Sequence, residues 1–303
     1  MADIVTSIIS ASLPLATPIL FSAVGEVYNE RAGVMNLGIE GIMAVTALAS
    51  VWVTFSTGSY ALGFLAAIVV GIAVALVHSF ACVTIGINQL IAGLMIFSLA
   101  EGIADFGYRT VSAVVPPTVK PLQTLNLFGL GEVPLIGPLF DQNALVYLAF
   151  ALALVMGFVL YRTTWGLGVR GAGEAPQACD AAGINVNLVR HLCVLIGGLM
   201  AGLGGAAMTL GYLGIYQGGI VAGRGWIAIV VVIFARWSPY RAILGSWMFG
   251  LGFSVASNLI GSGVGIPYYV LLALPYVLAL FVILVVHRGT KPPSALTVPF
   301  RRR

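Results

Sequence analysis

Residues 60–85 read YALGFLAAIVVGIAVALVHSFACVTI, a run without a single Asp, Glu, Lys or Arg. A bilayer core of about 30 Å takes roughly 20 apolar residues at the helical rise, so this run is long enough to cross a membrane as one helix. Comparable runs recur on both sides of it, over about 7–25, 34–56, 88–104, 143–161, 191–215, 242–259 and 267–286. Residues 226–235 are equally apolar but only about half a membrane thick, which reads as a broken or re-entrant helix. The expected fold is an all-α polytopic transmembrane helical bundle of eight or nine spans, forming one domain over 1–303.

Composition agrees. Of the 303 residues 60% are hydrophobic and 8% charged, against roughly 45–50% and about 25% in soluble domains. That leaves no charged shell for a globule and no basic stripe for a nucleic acid polymer. The N-terminus, MADIVTSIIS, has an acid and no basic region, so the first span reads as its own insertion signal. Cys82, Cys179 and Cys193 make no CxxC pair and read as reduced packing residues.

Lys and Arg bias sets the orientation. The segment 161–190 carries Arg162, Arg170 and Arg190, the turn near Trp237 carries Arg236 and Arg241, and the tail carries Arg288, Lys291, Arg301, Arg302 and Arg303. These three are assigned to the cytoplasm. The connection over about 105–142 balances Arg109 and Lys120 against Asp105, Glu132 and Asp141, and is assigned outside. A glycine-punctuated stretch opens each half, GVMNLGIEGIMAV from Gly33 and GRGWIAIVVVIF from Gly223, and the echo suggests an internal two-fold repeat.

The motifs exclude several chemistries. Lys120 and Lys291 do not follow the G-x-x-x-x-G-K-[ST] spacing that cradles phosphates, so the chain is not expected to hydrolyse ATP. Gly202, Gly204 and Ala207 fit a loose dinucleotide fingerprint, but they lie inside an apolar span, where Gly198 and Gly202 read better as close helix packing. His78, His191 and His287 lack metal-ligand spacing, and no catalytic set is evident. The cytoplasmic stretch GAGEAPQACDAAGINVNLVRHL, from Gly171, places helix formers over 175–182 between Gly173 and Gly183. It reads either as a short surface helix that docks on a partner or as an ordinary amphipathic loop helix.

Three stretches carry a family resemblance. The cytoplasmic one is similar to the coupling helix of ABC importer permeases of the branched-chain amino acid, ribose and nucleoside group, with its G-E-x-P-x-A-A-x-x-A-G-I pattern. Gly173, Glu174, Pro176, Ala178, Ala182, Gly183 and Ile184 match, and Cys179 stands where a second alanine is common. ERAGVMNLGIEG, 30–41, resembles the ERAGVxNLGxEG signature of the nucleoside branch, and AGRGWIAIVVVIFARWSPYRAILG, from Ala222, resembles that branch's AGRGWIALAAVIFGRWNP. The resemblance implies the shorter permease subunit of a nucleoside or simple-sugar importer, with a cytoplasmic coupling segment over about 162–190. It further implies that Gly173, Glu174, Ala175, Pro176, Gln177, Ala178, Asp180, Ala182 and Gly183 face an ABC ATPase subunit, which holds the ATP and magnesium. The other implied partners are a second, longer permease subunit, an extracytoplasmic substrate-binding lipoprotein and membrane lipid. The implied location is the plasma membrane of a prokaryote, the inner membrane if it is Gram-negative, with the C-terminus in the cytoplasm.

Polar groups at membrane depth are costly and are by default functional candidates. Asn36 and Glu40 stand one helical turn apart and so are expected to share a face, and with Asn88 and Gln89 they are candidates to line the path. Glu40 could equally fix packing or cap the broken helix begun at Gly33. Glu26, Glu30 and Arg31 read as a local ion pair, and Arg224 as an interfacial anchor. Trp52, Trp165, Trp226, Trp237 and Trp247 read as interfacial aromatics. Two other readings stay open: a branched-chain amino acid permease, and an ion-coupled transporter with Glu40 and Glu101 as ion sites.

Overall fold

A computed structural model describes residues 2–112, 115–126, 129, 131, 137–262, 265–286 and 291–301. Glu132, His287, Arg288, Arg302 and Arg303 lie outside the described residues. The helices are α1 (Ala2–Arg31), α2 (Ile39–Thr57), α3 (Tyr60–Ser79, continued by a π-helical turn Phe80–Ile85), α4 (Gln89–Ser112) and α5 (Ala144–Arg162). They continue with α6 (Thr164–Glu174), α7 (Pro176–Ala181), α8 (Val186–Met208, continued by a π-helical turn Thr209–Leu213), α9 (Arg224–Phe234), α10 (Pro239–Gly261) and α11 (Tyr268–Val286). Among the described residues seven helices are long and apolar enough to cross a membrane; α9 and the Tyr268–Val282 part of α11 are shorter apolar stretches. A two-stranded ribbon, β1 (Thr124–Asn126) against β2 (Asp141–Asn143), lies in the connection between α4 and α5.

Helix α1 is the hub, with Ile19, Phe21, Ala23, Val24 and Val27 buried against α8, α9 and α10. Pro14 and Pro18 lie inside it, and each removes a backbone donor. The Ser10 carbonyl, which Pro14 cannot serve, accepts from Gln142 Nε2 at 3.1 Å, so the defect is satisfied by the neighbouring ribbon. Helix α8 reaches its neighbours through small residues. A Cβ on Gly198 would collide with Ala75, and one on Gly202 would lie 2.6 Å from the Ala67 carbonyl. The expected close packing at Gly198 and Gly202 is therefore the contact between α8 and α3. Leu65, Val69 and Leu76 of α3, Met95 and Leu99 of α4 and Phe158 of α5 point outward and make the apolar surface that lipid covers.

The two irregular stretches fall where the sequence echo places them. After α1 the chain runs without helix over 32–38, and before α9 it turns back over 214–223. The two π-helical turns end in left-handed glycines, Gly86 and Gly214, at opposite faces of the bundle, an arrangement consistent with an internal repeat. Ser10 and Ile8, near the start of α1, bond Gln142 and Ser254, on the same side as the α4–α5 connection. The coupling stretch, the Arg236 turn and residues 291–301 gather on the opposite side.

Several boundaries differ from expectation. Helix α4 continues to Ser112, with Thr110 and Ser112 hydroxyls bonded back to Phe106 and Tyr108, so the α4–α5 connection follows Ser112 and Asp105 belongs to a helix. Helix α2 begins at Ile39, which leaves Asn36 in the irregular stretch; it and Glu40 do not share a helical face. Helix α6 had no counterpart in the sequence reading. Its N-terminus is capped by Thr163, whose hydroxyl accepts from Gly166 N.

Candidate functional site

On the side away from the α4–α5 connection, Pro176 opens α7 at its first position, where a missing backbone donor is harmless. Gly183, at φ +84°, closes it: its N–H bonds to the Asp180 carbonyl at 3.0 Å and the Ile184 N–H to the Cys179 carbonyl at 2.9 Å. Glu174, Ala175, Gln177, Ala178, Ala182 and Gly183 are exposed, Pro176 is buried, and Cys179 and Asp180 are half-buried. Burial pushes the Cys179 thiol up, away from reactive thiolate character. Gly173 lies underneath, so close to the Arg31 carbonyl that a side chain has no room.

The tail 291–301 straps this element down, an arrangement no motif foretold. Ser294 N and Oγ donate to Glu174 Oε2 at 3.2 and 3.0 Å, Ala295 N to the Gly173 carbonyl at 2.8 Å, and Thr297 N to the Gly33 carbonyl at 3.2 Å. Arg190, only 2% exposed, donates to the Val298 carbonyl at 2.8 Å and the Ala172 carbonyl at 3.3 Å. One cation thus ties tail, α6 and α8 together through neutral carbonyls. Beside it, Gly86, Pro176, Gln177 and Phe300 line a polar groove of about 830 Å3.

The irregular stretch 32–38 is held from several sides. Glu26 Oε1 accepts from Asn36 N at 2.8 Å and its Oε2 from Asn29 Nδ2 at 2.6 Å, while Asn36 Oδ1 accepts from Gly38 N at 2.9 Å. Gln89 Oε1 accepts from Met35 N at 2.8 Å, and its Nε2 donates to the Gly33 carbonyl at 3.5 Å. Backbone freed from helix is thereby satisfied within the membrane. Asn88 is exposed and caps α4, its Oδ1 accepting from Leu90 N and Ile91 N at 3.0 and 3.2 Å. Of the four candidates for the path, Asn36 and Gln89 therefore meet at one break, Asn88 stands at a helix end, and Glu40 faces elsewhere. The expected ion pair is replaced by separate partners: Glu30 accepts from Trp237 Nε1, and Arg31 donates to the carbonyls of Trp237 and Arg236. Trp237 is 4% exposed, so it is a core residue and not an interfacial one.

Glu40 joins the two echoing stretches. It is 5% exposed, and its carboxylate accepts from Gly223 N at 2.6 Å and Gly225 N at 2.7 Å, the free donors at the start of α9. A helix N-terminus carries partial positive charge and unsatisfied N–H groups, and a carboxylate answers both. Glycine at 225 is required by this approach, since a Cβ there would lie 2.7 Å from the Glu40 Cα. The helix that Glu40 caps is the second broken one, not the first. Arg224 folds back, donating to the Ile220 and Val221 carbonyls at 3.2 and 3.0 Å with its guanidinium 4.5 Å from the Phe253 ring centroid. Half-buried, it closes the turn that leads into α9.

Beyond Glu40, several polar atoms are buried with no hydrogen-bond partner among the described residues: Glu101 Oε2, Asp105 Oδ1 and the hydroxyls of Tyr212 and Tyr216. The sequence signal for two of them, acids one turn apart at 101 and 105, was present but was divided between a span and a loop. Among the described residues no group of three or more His, Cys, Asp or Glu side chains could hold a metal ion.

Comparison with known proteins fits this geometry. The chain is 40% identical over 248 residues, 80% of its length and 75% of the other's, to the permease protein TsgC13 of Haloferax volcanii, whose name assigns it to glucose provisionally. It is 32% identical over 314 residues, 99% of this chain and 98% of the other, to the guanosine ABC transporter permease protein NupQ of Bacillus subtilis. It is also 32% identical to the nucleoside ABC transporter permease protein NupC of Lactococcus lactis subsp. cremoris, over 91% of this chain and 90% of the other. An inward-facing ABC transporter structure, provisionally classed as metal-chelate type, has a similar fold at a TM-score of 0.51 and 16% identity, covering 92% of this chain and 86% of that one. Residues 8–287 match the model of one family, and the chain belongs to it: the permease components of the branched-chain amino acid transport system type.

Proposed function

We propose that this chain forms the translocation path for nucleosides or related sugars in an ATP-driven importer. Membership of a transport permease family carries the general part, a membrane path without enzyme chemistry of its own. One observation carries the mechanism: α7, a short capped helix with an exposed face, stands on the side away from the α4–α5 connection. There a partner ATPase can push it. The displacement passes through Gly173 to the end of α1 and, through the tail, to Gly33 and the break that follows. ATP binding biases the path only because the partner contacts α7 differently in the inward-open and outward-open states.

The nucleoside or sugar assignment draws support from near full-length similarity to permeases named for guanosine and nucleosides, and from TsgC13. Both substrate types present a hydroxyl-rich ring. A second, longer permease subunit and an extracytoplasmic binding protein complete the proposed importer, with the coupling side in the cytoplasm of a prokaryote. The test is competition for uptake by the reconstituted complex. Guanosine, cytidine, ribose and glucose are set against leucine; block by leucine alone returns the chain to amino acid transport.

A further inference from the structure

We propose that Glu101, Asp105 and Tyr216 form a subsite that reads the vicinal hydroxyls of a neutral sugar ring. The inference rests on the nucleoside or sugar reading above and names residues that carry it. Glu101 and Asp105 stand one turn apart on α4, roughly 18 and 24 Å along the helix from Gln89, at membrane depth. Ala104, between them, packs in one apolar cluster with Tyr216, Ile220 and Val221 of the segment that leads to α9. Tyr216 is 2% exposed, and its ring lies 5.3 Å from that of Tyr108, centroid to centroid. A Cβ on Gly218 would come within 3.0 Å of Asp105 Oδ1, so the carboxylate lies against this segment.

The three groups share a property with eight other buried polar atoms among the described residues, but here three such groups gather about α4 and the segment that leads to α9. Asp105 Oδ1, Glu101 Oε2 and the Tyr216 hydroxyl have no hydrogen-bond partner among the described residues, although each is shut away from solvent. Buried polar atoms are normally paired, because an unpaired one keeps its full desolvation cost. A packing role explains Glu40, whose oxygens are both used; it does not explain these. The donor and acceptor inventory points to the ligand: carboxylate oxygens accept from two hydroxyls, and a phenol donates to a ring or hydroxyl oxygen. The Tyr108 and Tyr216 rings add flat apolar surface for the carbon face of a sugar. The bridge between Thr118 and Ile215, with the Val119 N–H bonded to the Gly214 carbonyl at 2.8 Å, lays the outer connection across the approach.

The decisive variant is Tyr216→Phe. It removes a hydroxyl that has no partner among the described residues, so a merely structural role predicts unchanged or improved stability and normal uptake. The proposal predicts normal assembly with guanosine uptake below saturation reduced about tenfold, the scale of one hydrogen bond to a charged or polar partner. A substrate series separates this site from the external binding protein. In the complete importer, 2′,3′-dideoxyguanosine is taken up more slowly than guanosine, and this penalty shrinks at least fivefold in Asp105→Ala with the same binding protein, as a coupled pair requires. Asp105→Asn, which still accepts from a hydroxyl, retains more uptake than Asp105→Ala. Normal uptake by Tyr216→Phe, or an unchanged dideoxy penalty in Asp105→Ala, overturns the inference. Equal loss in Asp105→Asn and Asp105→Ala also overturns it, since that marks a site for a cation or an ammonium group. If the wild-type importer moves neither guanosine nor glucose, the parent reading fails instead. If Asp105→Ala does not assemble, Tyr216→Phe decides alone.

Discussion

Replacing Glu40 probes the joint between the two irregular stretches. Its carboxylate receives two N–H groups, from Gly223 at 2.6 Å and Gly225 at 2.7 Å, where α9 starts without a side-chain cap of its own. In Glu40→Ala both donors stay buried and unpaired, at about 1–3 kcal/mol each. The lost interaction with the helix dipole adds about 0.3–2 kcal/mol, so the total is of order 2–8 kcal/mol. Glu40→Gln keeps one acceptor but turns its amide N–H2 toward the other donor, so it loses roughly half as much. Unfolding in mild detergent and recovery of the assembled complex measure both variants. The expected order of stability is wild type, Gln, Ala, with uptake falling in step with assembly. A Glu40→Gln complex that assembles and unfolds like wild type yet fails to transport refutes the capping argument and gives the charge a place in the path.

Ala178→Arg adds a bulky charge to the exposed face of α7; thermal stability stays within about 0.5 kcal/mol of wild type, while co-purification of the ATPase falls more than tenfold. Arg190→Ala removes two charge-assisted bonds to carbonyls, each worth roughly 1.5–3 kcal/mol, and limited proteolysis then cleaves within 291–301 before any site in α8; a tail as protected as in wild type counts against the strap. Gly71→Val forces a side chain into the Gly198 backbone, and overpacking of about 1–3 kcal/mol separates α3 from α8. A Gly102→Val control, whose Cβ has nothing within 4 Å, leaves detergent stability unchanged.

The membrane bundle was legible because length and apolarity along one segment decide a span, and both are local properties of runs such as 60–85. The end of α7 at Gly183 was legible for the same reason, whereas its start is Pro176 and the expected boundary, Gly173, lies inside α6. What escaped the sequence is non-local. Glu40 pairs with Gly223 and Gly225, and nothing along 30–41 indicates that partner. Gln89 was conspicuous as an amide inside an apolar run, but its bonds to Met35 N and the Gly33 carbonyl had no sequence signal. Asp105 was assigned to a loop because charge and the later prolines outweighed helix continuity, though α4 carries on to Ser112. Helix α6 and the docked tail left no apolar period long enough to notice.

Uphill uptake in sealed proteoliposomes tests most directly whether α7 links this bundle to a separate motor. With the ATPase, second permease and binding protein present, nucleoside or sugar accumulates only when ATP is supplied on the α7 side, and an ATPase unable to bind nucleotide abolishes it. Accumulation by this chain alone, or with ATP confined to the side of the α4–α5 connection, contradicts the account.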